Sequence, residues 1–218
     1  MDRPQQVLKE LEADLKNLGK LNRYFGSYSL VRFFLRRCFP RRKVVRLLDL
    51  CTGFGDIPRF IVDWSRLNDI PIEITAIDLR PATLGLAKKQ SGSYPEITYI
   101  AADVLDFLPS SPVDFVFCSL ALHHFSNKDA IRLIRQTGLM TRGNILFSDI
   151  ERSDLGIVGI YALTAFVFRE PMTRFDGRLS MRRAFSFGEM ERLAELAGWR
   201  RFGHRRFLIC RQAIWREA

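Results

Sequence analysis

Four cysteines and three histidines are all that 218 residues offer for metal or disulfide chemistry. Cys38, Cys51, Cys118 and Cys210 form no C-x-x-C pair and have no histidine at zinc-ligand spacing, which excludes the common metal motifs. Spread so widely, they read as small core residues rather than a disulfide framework. No apolar run reaches the ~20 residues that a membrane-spanning helix needs; the most apolar, residues 155–168, is shorter. The first twelve residues are polar and charged, without the apolar stretch of a secretory signal. Together these absences set the expectation of a cytoplasmic protein.

What is present is an ordinary globular balance, 47% hydrophobic and 27% charged, and this excludes disorder as a global description. At ~150 residues per domain, the length suits one domain with decorations. We expect a helical cap over residues 1–40 and a catalytic domain over 41–218, with an insertion or lid near 151–185. A net charge of +10 permits an anionic partner without requiring one, because the basic residues are scattered as well as clustered.

Val7, Leu8, Leu11, Leu15 and Leu18 share one face at helical spacing until Gly19. A second helix carries Leu30, Val31, Phe34, Leu35 and Cys38 inward and Arg32, Arg36 and Arg37 outward, and stops at Pro40. Then strands and helices alternate. Strands are predicted over 44–50, 72–78, 97–102, 113–118 and 144–148, with helices over 56–67, 81–90 and from Ser126 to near Gly138. This pattern means an α/β fold with a mostly parallel sheet. Residues 155–168 are apolar on nearly all sides, predicting a buried or ligand-covering helix, and a turn-rich stretch follows over 170–180. Ser186 and Glu189 form a capping box for a helix ending at Gly198. Two strand-like runs, 199–202 and 207–215, join around Gly203 and must pair antiparallel.

Chemistry concentrates at the strand ends. The run Leu47-Leu48-Asp49-Leu50-Cys51-Thr52-Gly53-Phe54-Gly55-Asp56 takes a buried strand through a glycine turn into a helix. Such a turn lets backbone approach a ligand and presents free N–H groups. A dinucleotide loop wants a third glycine where this chain has Pro58, and Asp56 sets negative charge where a pyrophosphate would lie. The aspartates Asp49 and Asp56 suit a cofactor with a positive centre instead. Asp78, followed by Leu79, ends the second strand, where a carboxylate can accept both hydroxyls of a ribose. Asp103, followed by Val104, ends the third and can accept from an adenine amino group. The fourth delivers Ser119, His123 and His124 to the ligand-binding edge of the sheet.

These motifs resemble those of class I S-adenosylmethionine-dependent methyltransferases, from about residue 44 to residue 150 and again in the closing hairpin. Gly53-Phe54-Gly55-Asp56-Ile57-Pro58 and Leu120-Ala121-Leu122-His123-His124-Phe125 are similar to the small-molecule branch. That branch includes ubiquinone/menaquinone-type methyltransferases and those associated with type III polyketide synthases. The segments 18–26 and 173–185 resemble the second group. The resemblance implies a Rossmann-like, seven-stranded sheet in the order 3-2-1-4-5-7-6. It also implies S-adenosyl-L-methionine as cofactor and S-adenosyl-L-homocysteine as product. Asp49, Thr52, Gly53, Phe54 and Gly55 would line the methionine half. Asp78 and Leu79 would meet the ribose, Asp103 and Val104 the adenine, and Ser119 the sulfonium. Where this chain has Cys51, the family usually has glycine.

The expected reaction is methyl transfer to a small aromatic acceptor, phenolic, quinol-like or polyketide-type, with His123 or His124 as base. Tyr24, Tyr28, Tyr161, Phe166, Arg174 and Arg183 would surround that acceptor. No specific nucleic-acid partner is expected, because no RNA-binding module and no Asn/Asp-Pro-Pro-aromatic loop accompany the basic runs. Peripheral contact with a membrane is expected if the acceptor is lipophilic. RNA or protein methylation through the basic surface, and cofactor binding without turnover, are the alternatives. Cys118 reads as a core thiol, not a nucleophile.

Overall fold

The computed structural model describes residues 8–39, 44–166 and 171–218. Its centre is one seven-stranded sheet in the order β3-β2-β1-β4-β5-β7-β6. The strands are β1 (Val45–Leu50), β2 (Ile72–Asp78), β3 (Ile97–Ala101), β4 (Val113–Ser119), β5 (Thr141–Ile150), β6 (Gly203–Phe207) and β7 (Arg211–Arg216). The first five run parallel, and β7 lies antiparallel between β5 and β6. A parallel strand covered on both faces must be apolar on both, and adjacent residues of β1 serve opposite cores. Leu47 packs with α2 (Ser27–Cys38) and α3 (Asp56–Leu67). Leu48 packs with α5 (Asn127–Met140) and α8 (Phe187–Leu196). Fully burying each such side chain contributes about 1.5–3 kcal/mol.

The remaining helices are α1 (Leu8–Tyr24), α4 (Pro81–Gln90), α6 (Asp154–Phe166) and α7 (Pro171–Arg183). Helix α1 reaches across the molecule. Asp14, buried on α1, accepts the Thr173 hydroxyl of α7 at 2.8 Å, while Leu11 and Leu15 pack on Phe54 and Leu86.

Several expectations change. Helix α1 runs through Gly19, since one helical glycine costs only ~1 kcal/mol and neighbouring packing outweighs it. The break falls at Gly26, whose φ of 88° closes the turn before α2. Helix α5 continues past Gly138 to Met140, and β5 starts at the next residue. Strand β5 also extends two residues beyond Ser148, because β7 pairs with Asp149 and Ile150 where the pairing with β4 has ended. The stretch expected to be turns is the helix α7. Gly203 begins β6 rather than joining two strands, because the Trp215 ring fills the space its Cβ would take. The turn lies at Leu208-Ile209-Cys210, and residues 199–202 form no strand. Helix α6 is apolar, as read, yet its side chains are largely exposed: only Gly156 and Thr164 are buried. Val7, Pro40 and residues 167–170 lie outside the described residues.

Cys51 sits at φ 58°, in the left-handed region that favours glycine. A side chain there costs about 1–2 kcal/mol. Cys51→Gly is therefore expected to stabilise the fold by about 1 kcal/mol, raising the melting temperature by about 2–4 °C, while Cys51→Ala leaves it unchanged. A lower melting temperature for the glycine variant would mean that Cys51 packing outweighs the strain.

Candidate active site

The glycine turn is tied down by backbone groups, the Asp78 carboxylate and Arg59, whose guanidinium donates to the Phe54 carbonyl at 2.8 Å. Thr52 N–H donates to the Ile77 carbonyl at 2.8 Å and Gly55 N–H to the Thr52 carbonyl at 3.0 Å. Gly53 and Gly55 take φ of 55° and 70°. Gly55 also lies under the Tyr99 hydroxyl, which leaves no room for a Cβ. Asp78 is the anchor: its carboxylate accepts Gly53 N–H at 2.8 Å and Arg80 N–H at 3.0 Å. Each carboxylate oxygen has a second lone pair for a hydroxyl. The Phe54 ring turns away from the turn into the α1 cluster, under the Arg59 guanidinium.

Asp49 lies at the end of β1 and is 2% exposed. Its Oδ2 has no hydrogen-bond partner among the described residues. Burial pushes its carboxyl up to about 8; the Thr52 side chain pulls the other way and the Asp56 and Asp78 charges add to the rise. Asp56, in the first turn of α3, accepts Asn22 at 3.0 Å and the Tyr28 hydroxyl at 3.3 Å. Burial first, and then the Asp56 charge, raise the Tyr28 phenol well above its ordinary value.

Asp103 is exposed, and its Oδ1 accepts Leu105 N–H at 2.9 Å in a turn closing β3. Leu79 is exposed, whereas Val104 is buried in the core, so only its backbone faces the sheet edge. Ser119 shares a 2.9 Å hydrogen bond with Ser148 across the ends of β4 and β5.

The strongest polar cluster follows β4. A single 3-10 turn, Leu122–His124, buries His123 with Nδ1 2.7 Å from Asp149 Oδ1, while His123 N–H donates to Asp149 Oδ2 at 2.9 Å. Ile150 N–H also donates to Oδ1, at 2.8 Å. Burial by itself would raise the Asp149 carboxyl; the His123 ring and the two backbone N–H groups outweigh it and hold it below the usual range. A neutral ring that gives its Nδ1–H to this carboxylate keeps its lone pair on Nε2, the form of a general base. Arg211 is buried nearby, drawn down to about 10 by burial with Asp149 opposing.

A cavity of about 480 Å³ opens here, lined by His123, His124, Arg152, Arg183, Phe185 and Glu189 among others. It includes His124, whose exposed ring lies 4.2 Å from that of His123. The expected acceptor residues are not gathered in one place. Arg183 lines this cavity, but Tyr161 and Arg174 line a second groove of about 430 Å³ between α6 and α7. Tyr28 belongs to the Asp56 cluster. Tyr24 and Phe166 are 71% and 76% exposed, because each lies at the end of its helix. Cys118 is buried, and the Cys51 side chain and burial raise its thiol far from the reactive thiolate.

Asp149 is not among the residues expected from sequence, because the predicted strand stops at Ser148, one position before it. The signal was an acid placed directly after Ser148, at the same sheet edge as Asp78 and Asp103. The residues present fit S-adenosylmethionine: a buried, unpartnered carboxylate oxygen on Asp49 calls for a cation, and Asp78 closes the glycine turn with lone pairs to spare.

Residues 47–142 match the model of a family described as a methyltransferase domain. Over 94 residues the chain is 30% identical to a non-reducing polyketide synthase, sorB, of Penicillium rubens; the match covers 41% of this chain and 4% of that much longer protein. Among solved structures, human N-acetylserotonin methyltransferase with S-adenosylmethionine superposes at TM-score 0.68 and 15% identity, over 97% of this chain and 56% of that one. An S-adenosylmethionine-dependent methyltransferase from Aquifex aeolicus gives TM-score 0.66 and 15% identity, over 94% and 96%. Sheet order and family match agree: residues 47–142 are similar to a methyltransferase domain, and the chain has the fold of these S-adenosylmethionine-dependent methyltransferases.

Proposed function

We propose that the protein methylates a small hydroxylated aromatic, of phenol, quinol or polyketide type, bound in the cavity beside His123. The observation that carries this reading is the buried His123–Asp149 pair, which stands at the sheet edge that holds the glycine turn, with His123 lining an open cleft of about 480 Å³. When bound, S-adenosylmethionine supplies an electrophilic methyl group on a sulfonium. Asp49, Asp78 and the glycine turn would hold it. His123 Nε2 takes the acceptor proton, Asp149 stabilises the resulting imidazolium, and the acceptor oxygen becomes the nucleophile. A phenol of pKa ~10 needs this help at neutral pH. Phe185 offers an aromatic surface, and Arg183 and His124 offer donors to further acceptor oxygens. Some arginines bind the chain's own groups, as with Arg46 on Ser111, Arg66 on Glu96 and Arg206 on Glu151.

Labelled-methyl transfer to a panel of phenols, quinols and RNA tests the acceptor class. The product should be a methylated phenol or quinol, formed at rates insensitive to salt. Transfer to RNA that disappears at high salt overturns the reading. Calorimetry tests the cofactor. Asp78→Ala should weaken S-adenosylhomocysteine binding about tenfold or more, the equivalent of ~1.5–3 kcal/mol for hydrogen bonds to a charged group. NAD should give no heat.

A further inference from the structure

Helix α6 is apolar nearly all round and leaves one apolar face to solvent. Positions 155, 158, 159, 162, 165 and 166 recur at three- and four-residue spacing, so they share one face. All are apolar and all are exposed, with Leu155 80%, Val158 67% and Phe166 76% accessible. The opposite face is the one that packs. There Thr164 is buried against α7, and Gly177 of α7 approaches Ile160 and Thr164. A helix apolar on both faces that leaves one of them exposed is built to meet something other than water.

Charge is arranged beside the stripe. Arg174, Arg178 and Arg182 stand at four-residue intervals on one face of α7 and line the groove next to Tyr161. The Arg178 guanidinium lies 4.4 Å from the Tyr161 ring centre, and Arg182 donates to its hydroxyl at 2.6 Å. The two helices hold four arginines against Asp154 and the buried Asp176. A second apolar feature adjoins. Gly156 abuts the Cys210 sulfur, which brings the β6–β7 turn, with Leu208 84% exposed and Ile209 52%, beside the first turn of α6.

We propose that the α6–α7 hairpin, with the Leu208-Ile209 turn, docks on an anionic phospholipid surface. An apolar stripe with few polar atoms suits acyl chains, which ask for no specific hydrogen bonds, and the guanidinium row suits the phosphates above them. A second copy fits less well, because a two-fold pairing on this stripe sets the same arginine row on both sides of the seam. The docked face is a hairpin whose α7 continues directly into Arg183 and Phe185 of the His123 cavity. Docking therefore holds that cavity near the bilayer. The proposal stands on the exposed apolar face, the arginine row and the Leu208-Ile209 turn, and does not depend on the acceptor assigned above.

Flotation of the full chain with vesicles tests it. Equimolar phosphatidylglycerol and phosphatidylcholine vesicles should carry the protein, and pure phosphatidylcholine vesicles should carry far less. Removing one arginine of the row, as in Arg178→Gln, should lower partitioning about fivefold. Leu155→Ser with Val158→Ser should lower it further, while circular dichroism stays native because both positions face outward. Equal binding to both vesicle types, no binding to either, or full binding by the serine variant each overturn the proposal. So does a dimer in light scattering that the serine variant dissolves, since it gives the stripe to a second copy.

Discussion

Stability of the ligand-free protein is expected to fall by about 5 kcal/mol between pH 4 and pH 8 through Asp49 alone. In the fold its carboxyl is pushed from 3.8 to about 8 by burial, and each unit is worth about 1.4 kcal/mol. Below pH 4 both states hold the proton and nothing is lost. Across the window the unfolded chain has released it and the folded chain has not, so folding takes up a proton and stability drops as pH rises. Above pH 8 both states are ionised and the loss is complete. Urea unfolding of wild type and Asp49→Asn at several pH values measures this. The variant should have the flatter profile and be the more stable protein at pH 8. Parallel profiles would show that Asp49 is ionised in the fold. The same group predicts that a sulfonium or ammonium bound beside it drives the proton off. Affinity for S-adenosylmethionine should then climb with pH toward 8, and calorimetry in buffers of different ionisation enthalpy should register proton release.

The second large effect belongs to the His123–Asp149 pair. His123→Ala should lower kcat by about 10²–10⁴, leave cofactor affinity nearly intact, and recover part of the rate at high pH, where a phenol ionises unaided. Asp149→Asn should lose a comparable factor for a different reason. An amide can turn its NH₂ toward Nδ1, which moves the ring proton to Nε2 and removes the base. It should also destabilise the protein by about 3–5 kcal/mol, the usual result of breaking a buried pair. Its pH signature is opposite to that of Asp49. A carboxyl held low adds stability above pH ~4, and that stability is lost as the pH falls through the folded value. If both variants keep full turnover across pH, the pair is structural and the reaction needs no base.

The parallel half of the fold was legible because its signals are local. Strands β1 to β4 alternate with glycine and proline punctuation, and the Ser126 and Ser186 caps are present with their partners Asp129 and Glu189. The errors came where long-range contacts decide. Nothing near Gly203 announces that the Trp215 ring will occupy the space beside it, and β5 extends to Ile150 only because β7 arrives to pair with it. The cofactor aspartates could be read from strand ends. Asp149 offered the same strand-end signal, but its pairing with His123, twenty-six positions away, did not show. The acceptor residues fared worst: aromatic content shows where a pocket is affordable, but not which helix face will turn inward. Helix α6, apolar on nearly all sides, leaves one face outward, and Tyr24, Tyr161 and Phe166 are spread over separate surfaces.

The antiparallel insertion of β7 has a consequence during synthesis. Asp149 is the ladder partner of Gln212, and β5 has no neighbour on that side until residues 211–216 arrive. A ribosome that has made the whole parallel half, glycine turn and His123 included, therefore holds a nascent chain whose sheet ends in a bare, apolar edge. Such edges recruit other strands. The interval between translation of β5 and translation of β7 is the period when this chain is most open to aggregation and most in need of a chaperone.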